Sequence, residues 1–171
     1  MQSEETFLKD SIKRFRADKA LADKTFAQLE EKDFFYQPSS ESNSIAIIIQ
    51  HLHGNMMSRW TNFLTEDGEK SWRQRDAEFE PSAPNKSKLL SLWEAGWHCV
   101  FTALEQLEPA DLMKTIYIRN EPLTVCDAII RQIAHYAYHV GQIIFVGKII
   151  KDANWQTLSI AKRKAMNSIS K

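Results

Sequence analysis

A chain of 171 residues fits one domain able to bury roughly 70% of its unfolded surface. Its 22 Lys and Arg balance 22 Asp and Glu, which excludes the global positive field that drives non-specific binding to phosphate backbones. The two cysteines, Cys99 and Cys126, sit among apolar neighbours without CxxC spacing, which argues against a thiolate zinc site or a disulfide framework.

The opening residues, MQSEETFLKDSIKRF, carry acidic charge early and lack an apolar run of about 7 to 15 residues. No segment offers the roughly 18 uninterrupted apolar residues of a membrane span. The expectation is a soluble, cytoplasmic protein without a secretory signal, binding neither membrane nor nucleic acid. Glycine and proline, five of each, cluster between long stretches whose apolar residues recur at three and four, so the expected class is all-α.

The first helix is expected from about Ser3 to Glu30, with Phe7, Ile12, Phe15, Leu21, Ala22, Phe26 and Leu29 inward and Ser3 as its N-terminal cap. QPSSESNS breaks that pattern. Ser44 then opens a second helix, its hydroxyl placed to accept from free backbone amides, which continues through Trp60 to Phe63 and Leu64. The segment SWRQRDAEFEPSAPN mixes charge with Trp72, Phe79 and two prolines, which suits a long connection across the bundle, of the kind that covers a site.

A third helix starts around Asn85 to Ser87 and runs to EPADL, followed by a short extended piece, MKTIYIRNEPL. Thr124, with Asp127 three residues on, opens a fourth helix that runs to about Lys151. From Ser159 onward a marginal basic helix or a frayed tail is expected. Four long helices with two long connections describe a four-helix bundle, a single domain over residues 1–171 with its core at about 3–151 and a tail at 152–171.

With 3.6 residues per turn, Ala128, Arg131, His135, His139 and Gln142 share one face of the fourth helix, while Ile129, Ile130, Ile133, Ala137, Val140, Ile143 and Ile144 make the remainder apolar. A helix apolar on most sides is expected to be buried, and unpartnered buried polar groups cost about 1 to 3 kcal/mol each. Imidazoles at i and i+4 lie about 5 to 6 Å apart at Cβ, close enough to converge on one divalent ion. A third ligand has to come from another helix, and the second helix carries both His51 and His53; periodicity alone does not separate them.

Blander roles stand beside these. His53 fits an exposed position next to Gly54, and His98 a surface position next to Trp97. Cys99 and Cys126 suit the core, and Arg131 suits a carboxylate from a neighbouring helix. The five tryptophans are mostly packing residues. Gln142 either orients a ligand or bonds within the bundle, and Gly141 admits a close approach to the backbone. No Ser, Asp or Glu stands out as a general base.

Together, NSIAIIIQHLHGNM and, about eighty residues later, AHYAYHVGQI make the chain resemble the DinB-like (YfiT-like) superfamily of metal-binding four-helix proteins. The Ser-Ile-Ala opening matches Ser44, Ile45 and Ala46 with the histidine at His51, and the second motif matches His135, His139, Gly141, Gln142 and Ile143. The stretch FLTEDGEKSWRQRDAEF looks like an uncharacterised bacterial branch. By this resemblance the metal ligands are His51, His135 and His139, which settles the choice against His53. It also implies Zn or Ni as the metal, a homodimer, and activity as a transferase of a low-molecular-weight thiol such as bacillithiol to small electrophiles. A metal-dependent hydrolase and a non-catalytic metal-braced stress-response module are the alternatives.

Overall fold

A computed structural model describes residues 2–80 and 82–160. Helices α1 (Gln2–Phe26), α2 (Ile45–Trp60), α3 (Lys86–Glu105) and α4 (Val125–Lys151) form the expected all-α four-helix bundle. One antiparallel hairpin, β1 (Thr115–Ile118) with β2 (Glu121–Thr124), lies between α3 and α4. It occupies the segment expected only to be extended. α2 packs chiefly along α3 and α1 along α4, while α2 meets α4 over a shorter stretch. The anticipated basic tail falls mostly on residues 161–171, outside the described residues.

Side-chain caps fix three of the helix starts. Ser44 Oγ accepts from the Ile47 amide at 3.3 Å, Asn85 Oδ1 from Lys88 at 2.9 Å, and Thr124 Oγ1 from Asp127 at 3.1 Å. Ser3 is not a cap: it lies within α1 and its hydroxyl donates to the Glu4 carboxylate. α1 ends at Phe26, short of Glu30, because the chain tightens into a 3₁₀ turn (Lys32–Phe35) that buries Phe34. α2 stops at Trp60, and Asn62 takes a left-handed φ of 50° just beyond it, so Phe63 and Leu64 pack from a turn.

Aromatic rings carry the core. Phe15 meets Trp60, Trp97 and Tyr136 at centroid distances of 5.9, 6.1 and 5.7 Å. The fully buried Tyr136 accepts from Trp60 Nε1 at 2.9 Å and donates to Asn55 Oδ1 at 3.1 Å, joining α4 to α2 one residue from His135. α3 approaches α2 closely at Gly96, where a Cβ would stand 2.8 Å from Met56 Sδ and 3.4 Å from His53 Cα. α4 is not buried on all its apolar sides: Ile130, Tyr138, Phe145 and Ile149 are 51%, 54%, 65% and 43% exposed.

Candidate metal centre

His51 on α2 and His135 and His139 on α4 bring their ring nitrogens within 4.8 Å of one another. The ring centroids are 5.4 Å apart for His51 and His135, 4.9 Å for His51 and His139, and 4.8 Å for the α4 pair. His51 Nε2 and His135 Nε2 lie 3.4 Å apart. Two nitrogens bound at about 2.0 to 2.1 Å to one tetrahedral ion would stand roughly 3.3 Å apart, so the spacing already suits a shared metal.

The outer partners fix which nitrogens are free to ligate. His51 Nδ1 donates to Glu78 Oε2 at 2.9 Å and His139 Nδ1 donates to Gln142 Oε1 at 2.8 Å, leaving Nε2 on both rings as an acceptor, which on His51 faces His135 Nε2. His139 Nε2 is buried with no hydrogen-bond partner. An orphaned lone pair is costly in a protein interior, and a cation shared with its two neighbours resolves it. Burial, then the neighbouring His139 and His51, push the His135 pKa down to about 3. Burial likewise lowers His139 to about 4, so both rings stay neutral and ligating near pH 7.

Glu78 was not visible as a site residue in the sequence. It sits in the crossing connection, on a short 3₁₀ turn (Asp76–Phe79), and Arg73 clamps it through Nε at 2.7 Å and Nη2 at 2.9 Å. Burial alone would raise its pKa, but the hydrogen bonds from His51 and Arg73 outweigh that and hold it below the usual range, so it remains a carboxylate. The sequence cue, 27 residues from His51 and in a loop, was only that a long connection often covers a site.

Gln50 ties that connection to α2. Its Nε2 donates to the carbonyls of Glu78 (3.3 Å) and Glu80 (2.8 Å), and its Oε1 accepts from the amides of Ser82 (3.2 Å) and Ala83 (2.9 Å). Gly54 makes room for Glu78, since a Cβ there would overlap Oε1 and stand 2.6 Å from Cδ. Phe79 covers His51, ring to ring, at 4.9 Å.

The other candidates separate cleanly. His53 is half-buried on the side of α2 facing α3, and His98 is exposed. Arg131 meets no carboxylate among the described residues, contrary to expectation, and is exposed in the turn before His135. A Cβ at Gly141 would meet nothing within 4 Å, so no close neighbour within the chain calls for the glycine. Cys99 and Cys126 are half-buried against the core. The three imidazoles border a cleft of about 480 Å³, and among the described residues no fourth His, Cys, Asp or Glu joins the group. Three converging imidazoles are a donor set that could hold a divalent ion.

Neither a curated protein nor a solved structure matches the chain. No helix among the described residues is long and apolar enough to cross a membrane. A family match runs over residues 2–164, nearly the whole length: the chain belongs to DUF1572, a family described as a protein of unknown function.

Proposed function

We propose that this protein is a cytoplasmic, metal-dependent enzyme of the DinB-like class that transfers a low-molecular-weight thiol to a small electrophile. His51, His135 and His139 are its ligands and Zn or Ni its metal. The observation that carries this reading is the buried, unpartnered Nε2 of His139 converging with two further imidazoles on a cleft. Imidazole donors suit Zn and Ni among the divalent ions. When bound, such an ion supplies Lewis acidity, lowering the pKa of a thiol or water that reaches its open position.

The chain supplies orientation. Glu78 and Gln142 hold two of the rings by their Nδ1–H groups, an outer-shell arrangement that fixes tautomer and direction. The Asn55–Tyr136–Trp60 network fixes α4 against α2 beneath them. Transfer forms a carbon–sulfur bond, the leaving group departs with its electron pair, and the thiol proton passes to solvent. Among the described residues no Asp or Glu side chain lines the cleft to act as a base, which favours a nucleophile made acidic by the ion itself over one deprotonated by the protein. The apolar exposed side of α4 supports a homodimer through that helix.

The test is metal-loaded protein assayed against a panel of small electrophiles with and without added thiol. Thiol-dependent turnover that disappears in His135→Ala is the expected result. Turnover without thiol means a hydrolase, and a metal-loaded protein inert under both conditions means a structural metal.

A further inference from the structure

Five of the eight arginines in the sequence, Arg59, Arg73, Arg75, Arg119 and Arg131, line the cleft that borders the three histidines, and among the described residues no lysine or carboxylate side chain lines it. The chain as a whole is neutral, so this concentration is local. The five come from α2, the crossing connection, the β-hairpin tip and α4, which sets them apart from the solvated face of a single helix.

Two of them serve the fold. Arg59 donates to the Gly68 carbonyl and to Glu69 at 2.9 Å, and Arg73 grips Glu78. The other three are underused. Arg119 shares the same Glu69 at 3.0 Å while its side chain is 55% exposed. Arg75 has only Asp76, 3.5 Å away and itself fully exposed, and its guanidinium lies 5.4 Å over the Phe79 ring that covers His51. Arg131 has no ion pair among the described residues.

Arg119 is placed by backbone geometry. Arg119 and Asn120 both take left-handed φ, 56° and 62°, making the tight two-residue hairpin turn, and Asp67 accepts from both amides at 2.9 and 2.8 Å. The strained tip is thereby held to the loop after α2. A buried acceptor also lines the cleft: Gln132 Oε1 has no hydrogen-bond partner. It is free to take a donor from a ligand.

We propose that the cleft binds an oxyanionic substrate, a molecule carrying a carboxylate or phosphate group, which Arg75, Arg119 and Arg131 hold beside the three-histidine position. This rests on reading the histidines as the metal centre. A guanidinium binds a carboxylate or phosphate bidentately through two parallel N–H groups, and arginines in a half-enclosed cleft attract an anion more strongly than they would in open solvent. The three arginines are exposed while His51 and His139 of the same cleft are buried, so an anionic group held by the guanidiniums leaves the rest of the molecule to reach the histidines.

The experiment is calorimetric titration of the full chain, metal-free and cobalt-loaded, with inorganic phosphate and with succinate at low ionic strength. It compares wild type with Arg75→Gln/Arg131→Gln and with the remote control Arg16→Gln, whose partner is Glu105. Binding by wild type and the control, weakened about tenfold or more in the double variant with metal content unchanged, is the expected result. Preference for one anion identifies phosphate or carboxylate as the recognised group. Equal affinity in the double variant, or no binding by wild type, overturns the proposal. Arginine-dependent binding by protein that elemental analysis shows cannot hold metal supports the anion cleft and overturns only the metal reading.

Discussion

Glu78 reaches His51 only because residue 54 has no side chain. Gly54→Ala has to push the carboxylate away, and the displaced atoms are the clamped end of a side chain, so the cost falls on His51 rather than on the fold. Gly54→Ala and Glu78→Ala are both expected to weaken metal affinity by about 10- to 100-fold while remaining folded, read by competition with a chromophoric chelator. Unchanged affinity in both would remove Glu78 as the orienting group. A pH effect belongs to the same residues. In the metal-free protein His135 and His139 are held neutral down to about 3 and 4, whereas the unfolded chain takes up protons below 6.5. The unfolded state then binds more protons, so stability is complete above about pH 6.5 and falls as the pH drops towards 4. Denaturant midpoints between pH 7 and 4.5 should show a shallower fall in His135→Ala/His139→Ala than in wild type; parallel curves would contradict the shifts. The pair at 135 and 139 was legible because helical spacing is local. Glu78 was not, since only the folded chain brings a loop residue to His51.

At the scale of elements, the caps at Ser44 and Thr124 and the ends of α3 and α4 were readable from local chemistry. The choice between His51 and His53 was not readable from periodicity, for a physical reason. α2 lies between α3 and α4 and is buried on both sides, so its apolar pattern marks no single inward face. α2 ends before its apolar pattern does, because Phe63 and Leu64 continue that pattern yet pack from a turn. The crossing connection depends on Gln50, whose amide makes four hydrogen bonds to its backbone. Gln50→Ala strands those groups, with an expected cost of roughly 1 to 3 kcal/mol. Hydrogen exchange should speed up at the Ser82 and Ala83 amides, and unchanged protection there would show that the connection is held by other contacts.

For the whole molecule, the bundle was legible because its helices are long and amphipathic, while the hairpin was only glimpsed and the arginine cleft not at all. Convergence of residues from four segments leaves no periodic trace. The exposed side of α4 is the other global feature: Ile130, Tyr138 and Phe145 form an apolar surface with Ala134, Ala137 and Gly141 between them, small enough for two copies to approach closely. Light scattering on wild type should give twice the chain mass, and Phe145→Asp should give a monomer; a monomeric wild type would contradict the dimer. Elemental analysis of protein purified without chelators or a histidine tag should find about one Zn or Ni per chain, lost in each of His51→Ala, His135→Ala and His139→Ala while His53→Ala retains it. An empty wild type, or full retention in the His135 and His139 variants, would contradict the metal centre.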